Sequence, residues 1–138
     1  MDLVRAWTAA ILVVVAGSIG TAGIAVSAAV SKDDLESVTG VLLWTALPTF
    51  VVFALMALVS AVVHPSPQRE NAGRHALAVL LVPGLATLLG IVLGLVQGSP
   101  AQTTAASTIA GLLGAVPTWW LLARRRARRP STGAYTGY

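Results

Sequence analysis

The sequence predicts an all-α integral membrane protein, a bundle of four transmembrane helices. Three observations lead to this class: 56% of the residues are hydrophobic, only 10% are charged, and the mean hydropathy is +0.80. A soluble domain carries about 25% charged residues, so this chain has too few polar side chains to cover a water-facing surface. The apolar residues also form blocks of about twenty, the length with which an α-helix crosses about 30 Å of hydrocarbon.

The apolar blocks define a transmembrane domain of residues 1–130. Its four predicted spans are residues 8–30, 38–63, 76–96 and 103–123. The first block also resembles a signal peptide with small residues for cleavage near Ser27, but it is longer than the 7–15 apolar residues of a signal core, so a retained helix is favoured.

Polar segments of two lengths separate the predicted spans. Residues 31–37 and 97–102 are short enough for tight turns between antiparallel helices, whereas the longer connector His64–His75 contains two prolines that end the second helix. The chain is therefore predicted to form two tandem helical hairpins. Residues 131–138 are too polar and glycine-rich to fold alone, which predicts a disordered cytoplasmic tail.

The basic residues predict the orientation of the spans. Eight of the nine Lys and Arg residues lie before the first span, in the connector or after the fourth span, and Lys32 alone lies in a turn between spans. Cytoplasmic segments are enriched in Lys and Arg, so both ends are predicted to be cytoplasmic. The composition is rich in Ala, Val, Gly and Arg, with one lysine against eight arginines, as is typical of GC-rich bacterial genomes, and the predicted location is the bacterial inner membrane.

A short pattern in the first hairpin recurs in the second. Two sets recur, at offsets of 69 and 67 residues: Thr39, Pro48 and Thr49 as Thr108, Pro117 and Thr118, and Gly17, Gly23 and Ile24 as Gly84, Gly90 and Ile91. One interpretation is a duplicated hairpin with parallel copies related by an axis along the membrane normal. The other is coincidence, because Gly and Pro are frequent in membrane helices.

The spans contain little that is suited to chemistry. No Asp, Glu, Lys or Arg lies inside the predicted boundaries, and the chain has no cysteine. Intramembrane ionisable residues mark proton relays and ion paths, so we expect no proton-coupled transport, no enzymatic activity, no cofactor and no metal. His64 and His75 could be haem ligands, but polar residues at helix ends are the favoured interpretation, because the two lie at the ends of consecutive helices.

Glycine and proline positions indicate where helices contact one another. Small residues let helix backbones approach closely, which makes six glycines candidate contacts within the bundle or with a partner: Gly17, Gly20, Gly23, Gly90, Gly94 and Gly98. Three prolines inside the spans predict kinks, namely Pro48, Pro83 and Pro117. The carbonyls that they free either line an ion path or are satisfied by Thr49 and Thr118, and the second alternative is favoured.

The end of the fourth span is predicted to contact lipid headgroups. Trp119 and Trp120 form an aromatic belt at the cytoplasmic interface. The arginines that follow should attract anionic lipids by about 1 kcal/mol each; they are Arg124, Arg125, Arg126, Arg128 and Arg129. Since this cluster accounts for the net charge of +4, the basic balance does not indicate binding to nucleic acid.

These observations favour a non-enzymatic accessory or structural subunit of a larger bacterial inner-membrane complex. Its partners would be the lipid bilayer and other membrane subunits or further copies of the chain. One alternative is a homo-oligomeric pore or holin-like channel, lined by hydroxyls and proline-freed carbonyls, which needs no charged residues. Another is a small transporter of an uncharged or lipophilic solute, built on the duplicated hairpin.

Overall fold

The computed structural model describes residues 2–63 and 72–127, and the regular structure of these residues is entirely helical. The predicted tail at 131–138, Arg128, Arg129 and His64 lie outside the described residues. A π-helical turn, Val41–Ala46, joins the third and fourth helices. In chain order the helices are α1 (Asp2–Ser27), α2 (Lys32–Glu36), α3 (Val38–Gly40), α4 (Leu47–Val63), α5 (Ala72–Val96) and α6 (Ala101–Ala127).

Within the described residues, four helical segments are long and apolar enough to cross a membrane. They are Leu3–Ser27, Val38–Val63, Gly73–Val96 and Ala101–Arg125. The predicted all-α membrane class is therefore confirmed, and the segments differ from the predicted spans only at their ends. Hydropathy marks the apolar block, whereas backbone hydrogen bonds also continue through polar residues such as Arg5 and Arg124 at either end.

The first turn between spans contains the short helix α2. The Ser31 hydroxyl accepts a hydrogen bond from the Asp34 N–H at 3.1 Å, and the Asp34 carboxylate accepts one from the Ser31 N–H at 3.0 Å. Hydrogen bonds from the Ser31 hydroxyl and backbone lower the pKa of Asp34. Gly40 approaches this turn so closely that a Cβ there would collide with the Asp34 carbonyl oxygen.

The second span lies at the centre of the bundle. Its helix α4 makes its most extensive contact with α6 and also packs against α1 and α5. Hydrogen bonds also join helices that are far apart in the sequence: the Ser60 hydroxyl donates to the Ala6 carbonyl at 3.3 Å, and the Trp7 indole donates to the Leu77 carbonyl at 3.4 Å. The start of α1, the end of α4 and the start of α5 therefore meet at one end of the bundle, here named the connector end. The opposite end is named the turn end.

Burial is confined mainly to the half of the bundle at the connector end. Beyond Ala10 in α1 and beyond Pro83 in α5, no described residue of these two helices is buried. The core consists of Phe53, Met56, Ala57, Ala61, Val79 and Ala115. The helices are thus most tightly packed around these residues, whereas toward the turn end α1 and α5 carry no buried residue.

Candidate functional site

Among the described residues, one cavity lies on each side of α4, toward the turn end. The α1–α4 cavity measures about 170 Å³ and the α4–α5–α6 cavity about 190 Å³. Thr49 and Phe53 line both of them. The first is also lined by Val14, Ser18, Thr21, Trp44, Thr45, Pro48 and Val52, and the second by Ala86, Thr87, Gly90, Ser107 and Thr108.

The π-helical turn shapes the α1–α4 cavity. The turn ends at Leu47, the residue before Pro48, whose N–H donates to the carbonyl of Leu42, five residues earlier. A proline ring clashes with the carbonyl four residues back in a regular helix, and the wider turn relieves that clash. Trp44 and Thr45, both in the turn, line the cavity. Single π-helical turns inside α-helices are frequent at functional sites, which makes this cavity wall a candidate site.

Every hydroxyl of the α4–α5–α6 cavity donates its proton to a carbonyl of its own helix. A hydroxyl has one proton and two lone pairs, so these groups offer the interior of the cavity only acceptors. The bonds run from Thr49 to Thr45 at 2.7 Å, from Thr87 to Pro83 at 2.9 Å, and from Ser107 and Thr108 to Thr104 at 3.0 and 2.8 Å.

The α1–α4 cavity has a different hydrogen-bonding capacity. Thr21 donates to the Ser18 carbonyl at 3.1 Å, and Thr49 donates to the carbonyl of Thr45. The Ser18 and Thr45 hydroxyls have no hydrogen-bond partner within the described part of the chain. This cavity therefore offers donors as well as acceptors.

Two of the three prolines predicted to kink the spans, Pro83 and Pro117, lie inside continuous helices, whereas Pro48 follows the π-helical turn. Helices α5 and α6 extend through Pro83 and Pro117. The Thr118 hydroxyl donates to the Gly114 carbonyl at 2.7 Å, whereas the carbonyl four residues before Pro117 belongs to Leu113. The Leu113 carbonyl is the one that Pro117 leaves without its usual donor, so Thr118 bonds to the adjacent carbonyl. Thr49 does the same after Pro48, since it bonds to the Thr45 carbonyl and not to that of Trp44.

The six glycines predicted as contacts divide into two groups. A Cβ at Gly17 would lie 2.6 Å from a Val52 methyl, and one at Gly94 would lie 2.9 Å from the Thr104 hydroxyl, so these two face neighbouring helices. Gly98 has a φ of +64° in the turn between α5 and α6, a conformation that favours glycine. Open space surrounds the Cβ positions of Gly20, Gly23 and Gly90.

Two glycines outside the predicted set also lie at a close contact between spans. Gly111 and Gly114 of α6 face α4, and a Cβ at Gly114 would collide with the carbonyl oxygen of Phe50. A Cβ at Gly111 would lie 3.1 Å from the Phe53 ring. The available signal was the pair of small-residue positions Ala110–Gly111 and Gly114–Ala115, three to four residues apart in the middle of the fourth span.

The two tryptophans predicted to lie at the membrane interface have different surroundings. Trp120 is 43% exposed, and the Arg124 guanidinium carbon lies 3.6 Å from its ring centroid, in cation–π contact. With Leu121 and Arg125 they line a groove of about 230 Å³. Trp119 packs against the core, and its indole Nε1 is buried without a partner among the described residues.

Helix length, hydropathy and burial together define a multi-pass helical membrane protein. His75 lies buried near the start of α5, 4% exposed. Within residues 2–63 and 72–127, no three His, Asp or Glu side chains come together as metal ligands would. Comparison with known proteins gives no match: no family model fits the chain, and no curated protein or solved structure is significantly similar to it.

Proposed function

We propose that this chain is a non-enzymatic structural subunit of a larger bacterial inner-membrane assembly. The observation that carries the proposal is the open glycine surface, formed by Gly20 and Gly23 of α1. Open space surrounds the Cβ position of each. In a membrane the hydrophobic effect does not drive helices together, because lipid is as apolar as the helices are. Small residues promote association there because they let a second helix approach closely.

The contacts inside the bundle support this use of glycine. Gly17 of the same helix and Gly114 of α6 face another helix at short distance, so the chain already uses glycine for close contacts between helices. The open glycine surface fits the same type of contact, made by a helix of another subunit.

The proposal includes a topology of two hairpins with both ends in the cytoplasm. The hydrogen bonds between Ser60 and Ala6 and between Trp7 and Leu77 support it, because they join the start of α1 to both ends of the connector. The basic residues Arg5, Arg74 and Arg124 support the cytoplasmic assignment of the connector end.

The test is gentle extraction of the tagged protein from its native membrane, followed by size and mass analysis. We expect other membrane subunits at fixed stoichiometry with the wild type, and their loss with Gly20→Leu or Gly23→Leu. The matched control is Gly84→Leu, since the Cβ position of Gly84 in α5 also meets open space but no second glycine lies three or four residues away to form a surface with it. A monodisperse monomer, or equal loss of partners with the control variant, would refute the proposal. A pure homo-oligomer would instead favour the homo-oligomeric pore.

The cavities favour a second candidate function, a small transporter of an uncharged solute. The specific observation is that two hydroxyl-lined cavities lie on opposite sides of one wall, Thr49 and Phe53 of α4. Hydroxyl groups can bind a polar solute by hydrogen bonds, and the protein then needs no charged side chain, which would be costly inside a membrane. Solute uptake by proteoliposomes, compared with empty liposomes, tests this candidate.

A further inference from the structure

We propose that the α4–α5–α6 cavity binds a small uncharged solute that donates N–H hydrogen bonds, of the primary-amide class. The inference names the ligand class for the second candidate function. It claims binding and does not require transport.

The hydroxyls of the cavity select for a donor. Thr49, Thr87, Ser107 and Thr108 come from three helices, and each has committed its single proton to a backbone carbonyl. A hydroxyl that donates is polarised, which strengthens it as an acceptor. The other lining residues, Phe53 among them, carry no polar side chain. A solute with only acceptors would find no partner on this wall.

The charge of the surroundings selects for an uncharged solute. No Asp or Glu lies within the four spans that could compensate a cation. An unpaired charge at membrane depth is expensive, so a donor that is neutral at physiological pH is favoured over an ammonium ion. A primary amide has two N–H donors, and its own carbonyl can remain hydrated at the mouth of the cavity.

The size and depth of the cavity suit such a solute. Its volume is about 190 Å³, and a protein cavity of about 150 Å³ is enough to hold a benzene molecule. Gly90 and Ser107 each lie six residues from the ends of their helices at Val96 and Ala101, which is about 9 Å from the turn end. The cavity extends no farther toward the connector end, because Phe53 and the core fill the bundle there.

The absence of cysteine makes thiol labelling a direct test. The variant Ser107→Cys places a thiol on the cavity wall. The matched control Ser60→Cys places a thiol at a serine that is fully buried, 0% exposed. In nanodiscs, with size and circular dichroism as for the wild type, we expect a water-soluble methanethiosulfonate to label the first variant faster than the second.

Two small amides that differ in their N–H donors then test the ligand class. Acetamide, which has two N–H donors, should slow the labelling of Ser107→Cys, whereas N,N-dimethylacetamide, which has none, should not. Adding Thr108→Val removes one acceptor, and the acetamide concentration for half-protection should rise roughly two- to tenfold.

Three outcomes would overturn the inference. Labelling of Ser107→Cys no faster than that of Ser60→Cys would mean that the cavity excludes water. Equal protection by both solutes, or by neither, would mean that N–H donors are not recognised. Stronger protection by methylammonium would mean that the ligand is a cation. Acetamide protection without uptake by proteoliposomes would refute the transporter alone and leave the binding site established.

Discussion

Replacing Gly114 with alanine tests the helix contact on which the packed half of the bundle depends. The added Cβ would meet the Phe50 carbonyl oxygen and would lie 3.1 Å from the Ala54 nitrogen and 3.2 Å from the Phe53 Cβ. All three neighbours belong to α4, and two are backbone atoms that no rotamer change can move. The strain can be relieved only if α4 and α6 separate.

The cost of this separation can be estimated from the contacts. Favourable contact between heavy atoms begins at about 3.5 Å, so the helices must move apart by at least about 0.4 Å at Ala54 and farther at Phe50. Overpacking of this kind costs about 1–3 kcal/mol. Replacing glycine in a helix with alanine gains about 1 kcal/mol in propensity, and the matched variant Gly20→Ala receives the same gain without any clash.

We therefore expect Gly114→Ala to be less stable than Gly20→Ala by about 1–3 kcal/mol, because the propensity gain cancels between the two variants. The measurement is reversible unfolding in mixed micelles with increasing sodium dodecyl sulfate, followed by circular dichroism. Equal stability of the two variants would refute the close approach of α4 and α6 at this position.

Two further predictions concern polar contacts. Ser60→Ala removes the hydrogen bond to Ala6 that joins α4 to α1, and it should lower the free energy of unfolding by about 0.5–1.5 kcal/mol in the same assay; an unchanged value would contradict this bond. The lowered pKa of Asp34 means that its cap on Ser31 is present above the ordinary carboxyl pKa and is lost as the pH falls through the lower, folded value. The Ser31 amide resonance should therefore titrate with a midpoint below 3.8, whereas a midpoint at or above it would contradict the capping box.

The sequence was sufficient to predict the helical membrane class, because an apolar block of the right length has few alternatives to a membrane helix. It could not predict which glycines face inward. Gly17 meets Val52 while Gly20 meets open space, yet the core and the lipid are equally apolar. In a helix that is apolar all round, hydropathy carries no information about its rotation about its own axis.

The candidate cavities depend on tertiary packing and had no comparable signal. Thr49, Thr87 and Thr108 are far apart in the sequence and meet at one cavity because α4, α5 and α6 pack together. The sequence analysis assigned Thr49 to a bond with its own helix, which the structure also contains, and nothing in the sequence singled out Thr87 or Thr108. The π-helical turn was missed because Pro48 predicts a distortion of the helix and does not specify its type.

The uneven burial of the bundle has a consequence for its dependence on lipid. At the connector end, protein atoms fill the interior around Met56 and Val79. Toward the turn end, α1 beyond Ala10 and α5 beyond Pro83 carry no buried residue, so much of their apolar surface makes its dispersion contacts with groups outside the bundle. Acyl chains of one leaflet, or a neighbouring helix, therefore complete the fold on that side. The lipid composition of that single leaflet then becomes a determinant of the stability of the protein.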